Sequence, residues 1–168
     1  MDNKELKTYM KDNGCFLLHF GMLVKDIAAA QKSMDCLYGV EGWFGDLEIK
    51  LGPEVSLVGP PSEFRVISTR LFGNTDIELV EPHMDKCHGT AMERYLLEHG
   101  EGLHHIAYGI PEITLFHKVH AELAQRGYKT ILHAITKFPD SDVEFCYLEP
   151  SNGGLYVELN CSIAKDAT

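Results

Sequence analysis

An internal repeat constrains the fold of this 168-residue chain more than any other feature. The stretch LHFGMLVKDI near the N-terminus is echoed by HHIAYGIPEI in the second half. Each stretch is followed, tens of residues later, by an apolar run with a single glutamate, IEL in the first half and VEL in the second. The repeat places His19 with His105, and Glu78 with Glu158, at equivalent positions. A duplicated unit that carries a histidine and a carboxylate predicts a two-histidine, two-glutamate metal site shared between the halves.

Composition limits the class of protein. With 45% hydrophobic residues, the chain can bury one core or two closely packed halves. No apolar stretch approaches the roughly 20 residues needed to cross a bilayer, and the charged N-terminus lacks the apolar segment of a signal peptide. Five cysteines, with no Cys-x-x-Cys pair, favour a reduced, cytoplasmic protein. A net charge of −10 disfavours nucleic acids and anionic membranes as partners, so we expect a small-molecule substrate.

Hydrophobic periodicity predicts the same order of elements in both halves. Alternating apolar residues over 16–24 predict a strand, and Asp26 is a plausible N-cap for a helix from Ile27 to Tyr38. The second copy predicts a strand around His105 and a helix over 114–126. Turn residues separate the remaining predicted strands, which cover 47–51, 54–58, 64–72, 76–81, 128–136, 143–149 and 154–160.

These patterns predict an α+β fold of two paired βαβββ modules that form a curved mixed sheet around a metal-binding cleft. We expect a single domain over residues 14–160. The first module covers 14–82, a linker with a short helix covers 83–100, and the second module covers 101–160. Residues outside these bounds carry little structural signal.

The candidate metal ligands lie on strands, where a rigid backbone can position them. A small residue follows each histidine two positions later, Gly21 in one copy and Ala107 in the other, and predicts open space in front of the ring. An ionised glutamate inside an apolar strand is costly unless it is paired or binds a metal. The sequence therefore predicts one divalent ion per chain, of the Mn, Co, Ni, Fe, Zn or Mg type, bound by His19, Glu78, His105 and Glu158.

Other histidines and aromatic residues have weaker claims. His104 is interpreted as packing, because it lies on the opposite face of the strand from His105 and its repeat mate is Leu18. Trp43 and Phe44 are equally compatible with the wall of an apolar pocket and with an ordinary core. The remaining candidates are interpreted as linker or surface residues: His83, Cys87 and His88 around Pro82 and Gly89, and His117 and His120 on the second helix.

Four stretches carry a resemblance to a known family: LHFGMLV, GNTDIELVEP, GEGLHHIA and GGLYVEL. They resemble the vicinal oxygen chelate superfamily, and most strongly its glyoxalase I-like and methylmalonyl-CoA epimerase-like branch. The resemblance implies a glyoxalase/bleomycin resistance/dihydroxybiphenyl dioxygenase-like fold and the same four metal ligands. It also implies that the metal binds neighbouring substrate oxygens and stabilises an enolate-like intermediate. The stretch 43–68 is longer and more aromatic than in such epimerases, and Arg65 and Arg70 lie where an additional acid or base is expected.

The function expected from these observations is a metal-dependent isomerase, epimerase or lyase that moves a proton next to a carbonyl. Glu158 and Glu78 are the candidate catalytic bases, and the substrate is a small carboxylated, thioester or 2-oxo compound. A non-catalytic, resistance-type binding protein is one alternative. An Fe(II) extradiol dioxygenase is another, although a fourth ligand at Glu78 disfavours it. The resemblance and the unpaired sheet edges also favour a symmetric homodimer with one metal site per chain.

Overall fold

The structure is a computed structural model that describes residues 3–71 and 75–165. Four helices and nine strands make up this part of the chain. The helices are α1 (Asn3–Asp12), α2 (Ile27–Tyr38), α3 (Ala91–His99) and α4 (Ile113–Gln125). The strands are β1 (Phe16–Leu23), β2 (Trp43–Leu51), β3 (Ser56–Val58), β4 (Ser62–Leu71), β5 (Thr75–Pro82), β6 (Gly102–Gly109), β7 (Lys129–Lys137), β8 (Ser141–Glu149) and β9 (Tyr156–Ala164).

The helix ends follow from local capping residues. The Asp26 carboxylate accepts a hydrogen bond from the backbone N–H of Ala29 at 2.9 Å, and α2 ends at Gly39, whose φ of 61° suits glycine. The Thr90 hydroxyl accepts from the N–H of Glu93 at 3.1 Å and caps α3. The predicted bounds of α2 are confirmed. Helix α4 begins and ends one residue before the predicted 114–126.

The strands form one nine-stranded mixed sheet in the order β2-β4-β5-β1-β6-β9-β8-β7-β3. The antiparallel pair of β1 and β6 lies at its centre. On one side β5 pairs parallel with β1, and on the other side β9 pairs parallel with β6. Outward from the centre, the order β1-β5-β4-β2 is matched by β6-β9-β8-β7, so the repeat in the sequence is a repeat in the sheet. The predicted α+β fold of two βαβββ modules in a curved mixed sheet is confirmed.

Some elements differ from their predictions. Strand β3 belongs to the first half of the sequence but pairs with β7 of the second half, and the N–H of Ile135 donates to the carbonyl of Val55 at 2.9 Å. Strand β2 begins at Trp43 rather than at residue 47, and β9 continues past residue 160 to Ala164. Helix α1 precedes β1 in a region that carried little signal. The predicted turn at Gly73-Asn74 and the last residue of the strand predicted over 64–72 lie outside the described residues.

The core is divided between the two faces of the sheet. Helices α2 and α4 pack on the outer face, each over its own half. On the inner face, Leu23, Val80 and Phe145 pack with Met92 and Leu96 of α3. The inner face is therefore lined by apolar side chains and is partly covered by α3. None of the described helices is long and apolar enough to cross a membrane.

Candidate metal centre

The four candidate ligands lie in two rows across the central strands β5, β1, β6 and β9. Each row contains a glutamate, a small residue and a histidine on three adjacent strands, and the two rows run in opposite directions. One row is Glu78, Gly21 and His105, and the other is Glu158, Ala107 and His19.

The small residue in each row makes room for the histidine of the other module. Gly21 pairs with His105 across β1 and β6, and a Cβ at Gly21 would overlap the imidazole ring of His105. Ala107 pairs with His19 in the same way and is fully buried. The sequence interpretation assigned this space to a ligand. The space at Gly21 is instead filled by the His105 ring, because the repeat brings both histidines to the same pair of central strands.

The donor atoms of the four side chains converge. The Nε2 atoms of His19 and His105 are 3.2 Å apart, and each lies 3.2 Å from Oε2 of Glu158. Oε2 of Glu78 is 3.4 Å from Nε2 of His19 and 3.8 Å from Nε2 of His105. Among the described residues, no other group of three or more histidine, cysteine or acidic side chains brings its donor atoms within 4.8 Å of one another.

This geometry fits a divalent ion. Two ligands about 2.1 Å from one ion lie roughly 3.0–3.4 Å apart at octahedral or tetrahedral angles, and most of the observed separations fall in or near that range. Imidazole nitrogen and carboxylate oxygen suit Zn, Ni, Co, Mn and Fe. The cluster could therefore bind a metal ion with little rearrangement, in agreement with the predicted cofactor class.

The pKa values show how strongly these groups interact. Burial by itself lowers the pKa of His19, but the charge of Glu78 and the contact with Glu158 outweigh burial and raise that pKa from 6.5 to about 9. Burial raises the pKa of Glu78, and the nearby charge of Glu158 adds to the effect. Burial also opposes ionisation of Glu158, but hydrogen bonds from His105 and His19 overcome it and lower the Glu158 pKa. Without a metal, these four side chains share protons. A bound metal would require the same nitrogen and oxygen atoms to be deprotonated.

His104 does more than pack. It is the extra residue of a β-bulge in β6, because Gly21 pairs with His105 while the next residue of β1, Met22, pairs with Leu103. Its Nδ1 lies 2.9 Å from Nδ1 of His105, and its own Nε2 is buried without a hydrogen-bond partner. Nε2 of His105 is directed at the other candidate ligands. The Nδ1–H of His105 can therefore donate to Nδ1 of His104, and this hydrogen bond would fix the orientation of the His105 ring. Strict strand alternation in the sequence predicted that His104 and His105 lie on opposite faces. That alternation fails at the bulge.

A small cavity of about 210 Å³ adjoins the cluster. Of the four candidate ligands, the carboxylates Glu78 and Glu158 line it. The rest of the lining is mainly apolar and comes from β2, β4, β7, β8 and the turn after β7, with Asn160 of β9 as a polar member. Tyr147 also lines it, and burial together with the charges of Glu158 and Glu78 raises the Tyr147 pKa well above its usual value. Of the candidate metal ligands, Glu78 and Glu158 are therefore the ones that a molecule in the cavity would contact.

A second group of histidines lies on the outer face, between α4 and strands β7 and β8. Nε2–H groups of His117 and His133 donate to the same oxygen of Glu144 at 2.9 and 2.8 Å. His120 lies beside His133 and contacts Thr130. The prediction that His117 is a surface residue is confirmed, since 58% of its side chain is exposed. His117 and His133 share the carboxylate of Glu144, which lies on β8. The sequence of helix α4 alone therefore could not predict this contact.

The remaining sequence candidates lie apart from the cluster. Trp43 packs beside α2 and donates its Nε1–H to Asp35 at 3.0 Å, so it does not line the metal-side cavity in the described structure. Side chains of the linker contact different partners rather than one another: His83 contacts Glu48, Cys87 contacts the carbonyl of Glu63, and His88 contacts Glu93.

Comparison with known proteins identifies the family. Residues 18–147 match the model of the Glyoxalase/Bleomycin resistance protein/Dioxygenase superfamily. The chain belongs to this superfamily. The matched range contains His19, Glu78 and His105, whereas Glu158 lies beyond its end. No curated protein is significantly similar to the chain in sequence.

Solved structures of the superfamily share the fold. A variant of 4-hydroxymandelate synthase from Streptomyces coelicolor superposes with a TM-score of 0.59 at 13% identity over 92% of this chain. The chain spans only 50% of that protein. Methylmalonyl-CoA epimerase from Mycobacterium tuberculosis has a TM-score of 0.58 at 16% identity, with 86% of each chain covered. A variant of the Streptomyces coelicolor epimerase in complex with 2-nitronate-propionyl-CoA has a TM-score of 0.57 at 21% identity, with 88% of this chain and 97% of that chain covered. At these identities the similarity establishes the fold alone.

Proposed function

We propose that the protein is a metal-dependent isomerase or lyase that moves a proton next to a substrate carbonyl. The observation that carries the proposal is the cluster of His19, Glu78, His105 and Glu158, whose two carboxylates line an apolar cavity. When bound, a dication would supply Lewis-acid polarisation of a carbonyl oxygen. Relatives named as methylmalonyl-CoA epimerases share the fold and add support for this reaction class.

The two carboxylates have different surroundings, which suggests different roles. One oxygen of Glu158 lies 3.2 Å from both histidines, and its other oxygen accepts a hydrogen bond from Asn160 at 3.3 Å. Glu78 makes longer contacts, at 3.4 and 3.8 Å, and has no such second restraint in the described structure. Glu158 therefore holds the histidines in place. Glu78 is the freer carboxylate and the better candidate to take a proton from a carbon atom in the cavity.

The same four residues weigh against the dioxygenase alternative. A two-histidine, one-carboxylate site leaves open positions for oxygen, whereas here a second carboxylate lies within reach of both histidines. The binding-protein alternative predicts that the cavity keeps its ligand when all four residues are lost. Metal dependence of binding therefore distinguishes it from the enzyme.

The experiment compares Glu78→Gln with wild-type protein loaded with one equivalent of metal. Candidate 2-oxo compounds and acyl thioesters are incubated in D₂O, and exchange at the carbon next to the carbonyl is followed by NMR. Because Glu78→Gln also changes a ligand, it is assayed with enough added metal to saturate it. We expect it to lose exchange by roughly 10²–10⁴-fold under that condition. Oxygen uptake with catechols serves as the control for the dioxygenase. Wild-type protein that binds no metal, or binds it without exchange across the panel, contradicts the proposal.

We also propose a symmetric homodimer with one metal site per chain. Strand β2 is an edge of the sheet, and it exposes Phe44 and Leu47. Exposed apolar residues on an edge strand favour pairing with a second chain. Light scattering should give twice the 18.8 kDa mass of one chain. A mass equal to that of one chain at micromolar concentration contradicts the dimer and leaves the metal site unaffected.

A further inference from the structure

The cavity beside the carboxylates has an apolar lining. Its volume is about 210 Å³. Apolar side chains of β2, β4 and β8 and of the turn after β7 form much of its wall, among them Ile49, Phe64, Val66, Phe138, Val143 and Phe145. A substrate that fills this space exchanges water for apolar contacts, which favours an apolar body.

No lysine or arginine lines the cavity within residues 3–71 and 75–165. The two arginines of β4 are each engaged with a carboxylate elsewhere. Arg65 donates two hydrogen bonds to Asp46 at 2.7 and 2.8 Å, and Arg70 donates two to Asp76 at 2.7 and 3.2 Å. A substrate carboxylate or phosphate inside the cavity would therefore lack a cationic partner, and an unpaired buried charge is costly.

The charge of the four candidate metal ligands also disfavours an anionic substrate. With both carboxylates ionised, Glu78 and Glu158 would neutralise the charge of one bound dication. A metal site with two histidines and one carboxylate would keep one positive charge for an anionic substrate, whereas this site would keep none. A further carboxylate at the metal would make the buried centre negative.

The Tyr147 hydroxyl is a polar group of the wall that can contact a substrate. Tyr147 pairs with Glu158 across β8 and β9, lines the cavity and is almost fully buried. Its hydroxyl makes no hydrogen bond to any residue in the described part of the chain, although its ring packs against His105. A phenol hydroxyl can donate to a carbonyl or hydroxyl oxygen.

We propose that the substrate is a small, uncharged and largely apolar molecule. Its two neighbouring oxygens would lie at the end of the cavity where Glu78 and Glu158 would hold the metal, and one of them would accept a hydrogen bond from Tyr147. This inference rests on the proposed function, and it narrows the expected substrates by excluding those whose reacting part carries a carboxylate or phosphate.

A matched pair of probes tests the inference. The compounds 5-methylhexane-2,3-dione and 4-methyl-2-oxopentanoate share an isobutyl group and two neighbouring oxygens, but only the second is an anion. Binding to the zinc-loaded protein is measured by calorimetry, since zinc has no redox chemistry. We expect the dione to bind at least about tenfold more tightly than the anion, a difference of about 1.4 kcal/mol.

Two variants identify the cause of that preference. Thr136→Lys places a cation in the lining and should improve binding of the anion by at least about tenfold, whereas Gln125→Lys adds the same charge at an exposed site and should change neither affinity. Tyr147→Phe should weaken the dione by about tenfold while zinc affinity is kept. Thermal unfolding checks that each variant is folded. If Thr136→Lys does not fold, the wild-type comparison and Tyr147→Phe decide.

The possible failures are distinguishable. A wild-type protein that does not retain zinc overturns the proposed function. A protein that retains zinc but binds the anion as tightly as the dione, or binds neither probe, overturns the substrate class alone. Unchanged dione affinity in Tyr147→Phe overturns the role of that hydroxyl.

Discussion

Two clusters of histidine and glutamate lie on opposite faces of the same sheet. On the outer face, His117 and His133 both donate to one oxygen of Glu144, so ordinary hydrogen bonds account for the group. On the inner face, two Nε2 atoms lie 3.2 Å apart beside two carboxylates that contact both of them. One proton can satisfy the contact between two imidazole nitrogens, and the paired carboxylates repel each other. A dication bound between them would relieve this conflict. The convergence of two histidine nitrogens and two carboxylates on one point, rather than residue type, therefore distinguishes the inner cluster from the outer one.

Removal of a ligand should produce the largest difference between the clusters. We expect His105→Ala to lose bound metal, with an affinity loss greater than the roughly 10–100-fold effect of changes outside the ligand set. His133→Ala in the outer cluster is the matched control and should keep wild-type metal content. Elemental analysis after reconstitution measures both variants. Equal metal content in His105→Ala and His133→Ala would remove the distinction between the clusters.

The pH dependence of metal binding should sharpen the comparison. The pKa of His19 is raised to about 9 in the metal-free protein, so below that pH a metal must displace its proton. Apparent affinity should therefore be highest above pH 9 and should fall by about tenfold per pH unit as the pH decreases, or about 100-fold from pH 9 to pH 7. Competition with a chelator of known pH dependence measures this slope. A slope that begins near pH 6.5, the ordinary histidine value, would show that Glu78 and Glu158 do not act on His19.

The space at Gly21 provides a steric test of the inner cluster. A methyl group there would overlap the His105 ring, so Gly21→Ala should displace that ligand and weaken metal binding by about 10–100-fold. Gly42→Ala is the control, because nothing lies within 4 Å of a Cβ at that position and its φ is not positive. Metal titration of both variants, with thermal unfolding recorded alongside, separates a local effect from loss of folding. Wild-type affinity in Gly21→Ala would contradict the packing described.

The smallest effect is expected at His104, which contacts a ligand but lies outside the ligand set. Leu18 occupies the equivalent bulge position in β1, so a leucine at this position is compatible with the repeat. His104→Leu should therefore remove the hydrogen bond to Nδ1 of His105 without disturbing the strand. Metal affinity should fall by about tenfold. The side-chain oxygen of His104→Asn can accept the same hydrogen bond and should restore part of the loss. Equal affinity in both variants would mean that His104 only packs.

The sequence was sufficient for the parts of the fold that local patterns control. Apolar alternation and capping residues predicted β1 and α2 closely, since strand faces and helix ends depend on neighbours in the chain. The repeat then brought His19, Glu78, His105 and Glu158 together without any structural information. Their role as metal ligands, like the division into modules over 14–160, remains a prediction.

Contacts between distant segments were decided only by the tertiary structure. The space beside each histidine looked open along one strand, but Gly21 faces His105 of the other module across the sheet. A bulge turned His104 towards His105, against the alternation that regular strands obey. Strand β3 pairs with β7 far from it in sequence. The sequence thus determined which residues share a face within regular stretches of strand, because there the face depends only on backbone period. Bulges, the pairing of β3 with β7 and the surroundings of the cavity depend on contacts between segments far apart in the chain, which a pattern within one strand does not specify.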